Sequence, residues 1–324
     1  MFIGNAISGF AADGNRFIPM ALSKGAAVVV TAKKPEGDVP FVLVESDRQA
    51  LALIGCNFYG HPAKAMTMVG VTGTNGKTSV TLLLKHVLEK TLGAKVGLIG
   101  TTANMIGEEI IPTERTTPES FELQGLFARM RDAGCTHVVM EVSSHAIALD
   151  RVGGVRFDAA GFTNLTEDHL DFHETMENYR KAKEILFQNC NIGVFNADDP
   201  AAAVMMQSCA CKTMTCAVEH SADLQATNIL LRADGIEADV LDGEERAHLQ
   251  LGIPGKFSVH NALSVLGAAK ALGLSLAKAT EALKTAKGVK GRVEVVPTPG
   301  KDYTVLIDYA HTPDGLENVL SSVK

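Results

Sequence analysis

One short stretch, Val69 to Thr81, constrains this chain more than any other: VGVTGTNGKTSVT. An apolar run, Met66 to Val71, reads as a buried strand. Thr72-Gly73-Thr74-Asn75-Gly76-Lys77-Thr78 follows, and then apolar residues at helical spacing: Val80, Leu83, Leu84, Val87 and Leu88. Strand, glycine-containing turn, Lys-Thr and helix together make a phosphate-binding loop. The glycines let the backbone turn its N–H groups toward an anion. The helix adds the positive end of its dipole. Lys77 is expected at the β- and γ-phosphates and the Thr78 hydroxyl on Mg²⁺. The strict motif wants a glycine where Val71 stands, so the loop is a variant. Alone it specifies a nucleoside triphosphate site, against an ordinary glycine-rich β–α turn as the alternative.

The chain has 324 residues, enough for two or three domains. The net charge of −7 argues against nucleic acid as the main partner. No apolar run approaches the roughly 18–20 residues a membrane span needs. Met1 opens on FIGNAISGF, without the basic segment of a signal peptide. A cytoplasmic protein is expected. Six cysteines stand in apolar contexts, and only Cys209, Cys211 and Cys216 cluster. No CxxC pair or nearby histidine completes a zinc set there, so these read as reduced, buried thiols.

Strand-like and helical runs alternate from Met66 to Ser208, which predicts an α/β fold: a three-layer, mostly parallel sheet covered on both faces. Ligands belong at the carboxyl ends of its strands. The expected division is a small N-terminal α/β unit (1–62), a central domain (63–297) and the first β–α unit of a further Rossmann-like domain (298–324). Asp223 to Leu251 alternates around Asp234-Gly235 and Asp242-Gly243, as an antiparallel meander would. The last segment, with a strand from Tyr303 to Asp308, has no evident partner.

Four polar clusters fall after the loop. In Thr116-Thr117-Pro118-Glu119-Ser120, Thr117 reads as a helix N-cap with Pro118 at the first helical position. Glu141-Val142-Ser143-Ser144-His145 places a carboxylate at a strand end, where Mg²⁺ wants a ligand. Thr163 to His173 crowds acids and histidines into one strand-end loop. Lys181-Ala182-Lys183-Glu184-Ile185-Leu186-Phe187 is helical, with Ile185 and Leu186 on one face. A lysine there makes sense near a metal only if its charge is removed or reversed.

GVTGTNGKT, TTPES, MEVSSHAIALDRV, FTNLTEDHLDFH, YRKAKEILF, HNALSVLGAA, GRVEVV and DYAHTPDGLENVL occur in the order seen in the Mur ligases, and the chain resembles that family over nearly its whole length. SSHAIALDRV with DYAHTPD is most like the member adding the third, diamino, residue of the peptidoglycan stem. Folylpolyglutamate synthetase shares the loop but not that pair.

The resemblance implies an ATP-dependent amide-forming ligase acting through an acyl phosphate, with a UDP-N-acetylmuramoyl-dipeptide and a diamino acid as substrates, working as a monomer. It implies that Gly73, Thr74, Asn75, Gly76, Lys77, Thr78 and Ser79 hold the phosphates. Asn261, Arg292 and Asp308 match further ATP contacts. Thr78, Glu141, His169 and Lys183 are the implied Mg²⁺ set. Lys183 matches the lysine carbamylated by CO₂, which turns a cation into an anion. Lys77, Glu141, His169 and Lys183 form the implied catalytic group. Thr116, Thr117, Ser144 and Arg151 match contacts to the UDP-muramoyl-peptide. The family's uridine-binding segment is expected before residue 1, and its amino-acid-selecting domain after residue 324.

Overall fold

The apolar run that precedes the glycine loop becomes the central strand of a large sheet. A computed structural model describes residues 2–7, 13–303, 305–310 and 313–321. In chain order its strands are β1 (Phe2–Ala6), β2 (Ala26–Thr31), β3 (Phe41–Leu43), β4 (Thr67–Thr72), β5 (Val96–Ile99), β6 (Asn104–Ile106), β7 (Glu109–Ile111) and β8 (His137–Glu141). Then come β9 (Phe157–Phe162), β10 (Cys190–Asn196), β11 (Lys212–Ala217), β12 (Leu224–Arg232), β13 (Gly235–Asp242), β14 (Glu245–Leu251), β15 (Glu294–Val296) and β16 (Val305–Ile307). The helices are α1 (Ile18–Ser23), α2 (Asp47–Phe58), α3 (Lys77–Leu92), α4 (Ser120–Asp132), α5 (Ser144–Ala148), α6 (Leu170–His173), α7 (Met176–Gln188), α8 (Pro200–Ser208), α9 (Lys256–Ala271), α10 (Leu276–Lys284) and α11 (Pro313–Ser321).

Eleven strands form the main sheet, in the order β14-β13-β12-β11-β10-β9-β4-β8-β5-β6-β7. The run from β12 to β5 is parallel. Antiparallel pairs extend it at both edges. β4 lies between β8 and β9, and the chain leaves it for β5, two places away. That is a topological switch point, where α/β sheets bind ligands. The glycine loop sits there.

Two apolar layers cover the sheet. α3 packs on α9 and α10 over one face, around Val80, Leu84, Val87, Leu263 and Leu283. The other face buries Phe127, Phe157, Phe162, Phe187 and Phe195. The α3 residues that turn inward are the ones its sequence spacing selects. A separate three-stranded parallel sheet, β1-β2-β3, makes the N-terminal unit.

Several expectations shift. β11 and the β6–β7 hairpin were not anticipated: KTMTCA is polar at half its positions, and three-residue strands carry too little periodicity to read. The meander is antiparallel as expected, but β12 pairs in parallel with β11, so it extends the main sheet. β16 has a partner, β15, across the position where the sequence divides into a last domain. Thr117 caps no helix; Glu119 occupies the N-cap of α4, without a side-chain bond. Ile185 and Leu186 do not share a buried face, since Ile185 is exposed. His311 and Thr312 of the HTPD motif, and residues 322–324, lie outside the described residues.

Candidate active site

The loop after β4 is held from the side by the loop after β9. Thr74 N–H donates to the Asn164 carbonyl at 2.9 Å, and Asn75 N–H to Asn164 Oδ1 at 2.8 Å. Thr163 Oγ1 donates to the Asn75 carbonyl at 2.6 Å. This close approach explains Gly73, with φ 148°: a Cβ there would lie 1.9 Å from Thr163 Oγ1. Gly76 has φ 87° and opens α3. Val80 N–H is the first to reach a carbonyl of the helix start, that of Gly76, at 2.9 Å. The N–H groups of Lys77, Thr78 and Ser79 have no intrahelical acceptor. Thr74 and Asn75 use their N–H groups to fix the loop, so the helix end is the part aimed at an anion.

Lys77 Nζ donates to the carbonyls of Gly73 (2.9 Å) and Thr74 (2.8 Å). Lys183 Nζ donates to the same Gly73 carbonyl at 3.0 Å and lies 4.1 Å from the centre of the Tyr179 ring. Burial depresses both amines, and the Lys77 charge depresses Lys183 further, holding it well below the ordinary lysine range. Lys183 occupies a core position on α7, between Tyr179, Ala182, Leu186 and Phe187. This buried stripe differs from the face read from sequence, which paired Leu186 with the exposed Ile185.

Glu141, at the end of β8, is buried. Its Oε1 accepts from Thr101 N–H at 2.8 Å and its Oε2 from the Thr101 hydroxyl at 3.0 Å. Glu141 and Asp168 both act on Lys77 electrostatically. His169 caps α6 with φ 53° and pairs with Asp168 at 3.3 Å. Its imidazole is depressed, first by burial. His145 stands edge-on to His169 at 4.8 Å. Buried His173 donates to or accepts from Ser144 Oγ at 2.9 Å, and burial brings it down to about 4. Among the described residues no three His, Cys, Asp or Glu side chains close on one metal position. Mg²⁺ does not need such a cage: it keeps several waters and takes one or two protein oxygens plus substrate phosphates. The Thr78 hydroxyl and the Glu141 carboxylate suit that role.

On the α9 side of the loop lies a cavity of about 500 Å³. Asn75, Gly76, Ser79, Asn261, Arg292 and Asp308, all anticipated from sequence, line it. Arg292 Nη2 reaches 3.5 Å from Thr78 Oγ1. Asp308 accepts from Val293 N–H (2.7 Å) and Ala310 N–H (2.6 Å). Asp198 and His260 complete the wall and were not singled out by sequence. Asp198 gathers three consecutive N–H groups, Val218 to His220, at 2.6 to 3.1 Å. Such a clamp joins segments distant in sequence and has no local signature.

The anticipated acceptor contacts separate into two kinds. Thr116 is half-buried. Thr117 is fully buried: its hydroxyl donates to the Glu141 carbonyl at 2.9 Å and accepts from Ser143 N–H at 3.3 Å. Ser144 is buried against His173. Arg151 bonds Glu119 at 2.8 Å and the Thr117 carbonyl at 3.1 Å.

The profile of the Mur ligase middle domain matches residues 71–269, from the glycine loop through α9. The chain belongs to the Mur ligase family. Members of the family are ATP-dependent amide-forming ligases. A UDP-N-acetylmuramoyl-L-alanyl-D-glutamate–2,6-diaminopimelate ligase from Clostridium botulinum is 45% identical over 324 residues, covering 98% of this chain and 67% of that protein. Its namesake from Caldanaerobacter subterraneus is 46% identical, covering 98% and 66%. A solved structure of a ligase of that name superposes with a TM-score of 0.85 at 26% identity, over 99% of this chain and 66% of that one. A MurF ligase from Thermotoga maritima, in complex with ADP, shares the fold at TM-score 0.68 and 22% identity, over 99% and 70%. This Mur ligase chain thus spans about two thirds of the length of the curated relatives it matches.

Proposed function

We propose that the protein joins a free carboxylate of UDP-N-acetylmuramoyl-L-alanyl-D-glutamate to an amine of diaminopimelate, driven by ATP. The single observation that carries the reading is the meeting of Lys77 and Lys183 on one Gly73 carbonyl, with Glu141 close to Lys77. The names of relatives at 45–46% identity supply the substrates. The division at 62 and 297, a monomeric state and a cytoplasmic site belong to the same reading.

The chemistry follows from the parts. The carboxylate attacks the γ-phosphorus of ATP, the β–γ bridging P–O bond breaks, and ADP leaves. The amine then attacks the acyl carbon, loses a proton, and phosphate departs with the C–O bonding pair. Lys77, Arg292 and the N–H groups at the start of α3 stabilise charge that builds as carboxylate meets triphosphate. Thr78 and Glu141 would hold Mg²⁺, which supplies further charge neutralisation when bound. Asn261, Arg292 and Asp308 orient the nucleotide in the cavity on the α9 side. Thr116, Thr117, Ser144 and Arg151 shape the acceptor side, with Thr117 acting through the backbone it anchors and Ser144 through its bond to His173.

Lys183 is suited to carbamylation because burial and the Lys77 charge depress its amine and so favour the neutral form, which is the nucleophile toward CO₂. Addition forms an N–C bond and releases a proton, leaving an anion beside Lys77. His169 completes the group facing that position.

The test is a mass-spectrometric product assay with Mg²⁺, ATP, bicarbonate, UDP-N-acetylmuramoyl-dipeptide and, separately, diaminopimelate or lysine. Tripeptide formed with diaminopimelate is the expected outcome. Tripeptide formed only with lysine refutes the amino-acid assignment. Absence of both product and ATP binding refutes the function.

A further inference from the structure

Thr101 lies at the end of β5, outside every motif that marks the site, yet it touches both halves of the chemistry. Its N–H and hydroxyl take the two oxygens of Glu141, at 2.8 and 3.0 Å. Its hydroxyl oxygen is also 3.0 Å from Thr116 Oγ1. The preceding Gly100 is required by this contact, since a Cβ there would sit 2.5 Å from Glu141 Oε1. Thr117, bonded to the Glu141 carbonyl, anchors the neighbouring strand-end loop that brings Thr116 to Thr101.

The direction of each bond is fixed by the anion. A carboxylate offers lone pairs only, so the one hydroxyl proton of Thr101 goes to Glu141. The contact between the two threonines then runs from the Thr116 hydroxyl to Thr101 Oγ1. With that proton spent, Thr116 has only lone pairs left to present. A carboxylate ligand at this point would set oxygen against oxygen.

We infer that Thr101 is a positioning residue that fixes the polarity of Thr116, so that this corner of the acceptor site recognises an N–H or O–H donor and not a carboxylate. The inference rests on the reading of Thr116 as an acceptor contact in the proposed function. The reacting carboxylate is then held by the cationic groups, and Thr116 reads a neutral part of the acceptor.

Isothermal titration of UDP-N-acetylmuramoyl-dipeptide and of ADP against wild type, Thr101→Val, Thr101→Ser, Thr116→Val and the double valine variant tests this. Thr101→Val should weaken acceptor binding about five- to tenfold, the loss expected for one hydrogen bond, with ADP binding unchanged and the melting temperature lowered by the lost hydroxyl bond to Glu141. Thr101→Ser should restore acceptor affinity. The double variant should bind no more weakly than Thr116→Val alone, because both remove one relay. Acceptor analogues lacking single donors, with an ester in place of each amide N–H or hydrogen in place of each hydroxyl, supply the second arm. One of them should lose affinity for wild type and not for Thr116→Val. Additive losses, unchanged binding by Thr101→Val, or no such analogue would overturn the inference while leaving the proposed function standing. A wild-type chain that binds ADP but no acceptor overturns the reading of Thr116 and the inference together.

Discussion

Replacing Gly73 with alanine should disconnect nucleotide binding from folding. Two costs arise. The first is conformational: φ is 148°, where a residue with a Cβ is strained by about 1–3 kcal/mol. The second is steric and local. The new methyl would lie 1.9 Å from Thr163 Oγ1, less than any real contact. Thr163 cannot turn away freely, because its hydroxyl holds the Asn75 carbonyl at 2.6 Å and its N–H holds the Thr72 carbonyl at 3.0 Å. The loop must therefore move by about an ångström, which takes N–H groups off the phosphates and should weaken ADP binding by roughly tenfold or more, the loss of one charge-assisted hydrogen bond. Calorimetric titration with ADP, beside thermal melting, separates the two costs. Gly25→Ala is the control: φ is 92° there too, but no atom lies within 4 Å of the added Cβ. It should melt earlier and bind ADP as wild type does. ADP affinity within twofold of wild type in folded Gly73→Ala would refute the argument that the Thr163 contact sets the loop.

Lys77→Ala should lower turnover by at least about 10²–10³-fold, as for loss of one preorganised donor, measured as ADP release under saturating acceptor. His173 binds its proton less tightly when folded, at about 4 against 6.5 unfolded. Between those values the unfolded chain holds more protons, so its contribution is complete above pH 6.5 and is lost as pH falls toward 4. Urea titrations of wild type and His173→Gln across that range should converge at low pH. The buried Lys77 and Lys183 amines act in the same direction at higher pH: both are depressed below 10.5, so stability should rise with pH up to that value. Lys183→Met should flatten that rise. Thr117→Val leaves Ser143 N–H and the Glu141 carbonyl without their shared partner and should cost about 1–3 kcal/mol, read from urea midpoints.

Sequence alone determined the elements whose information is local. A strand, two glycines, Lys-Thr and an apolar helical stripe suffice to write β4, the loop and α3, because turn geometry and 3.6-residue periodicity are properties of consecutive residues. Lys183 is reached only through the family resemblance, because the face read for α7 puts Ile185 inward and Ile185 is exposed. The tertiary structure decided what depends on residues far apart in the chain. It buried Thr117 and set the Thr116 hydroxyl on Thr101, set Thr101 against Glu141 forty positions away, and closed the Asp198 clamp over Val218 to His220. It also joined the β12–β14 meander to the main sheet through β11, a pairing too polar to recognise in isolation. Hydrogen bonds between strand ends leave no periodic trace, since each needs only one suitable residue at one place. That is why the glycine loop proposed to bind phosphate is legible in the chain, and the polarity of the site around it is not.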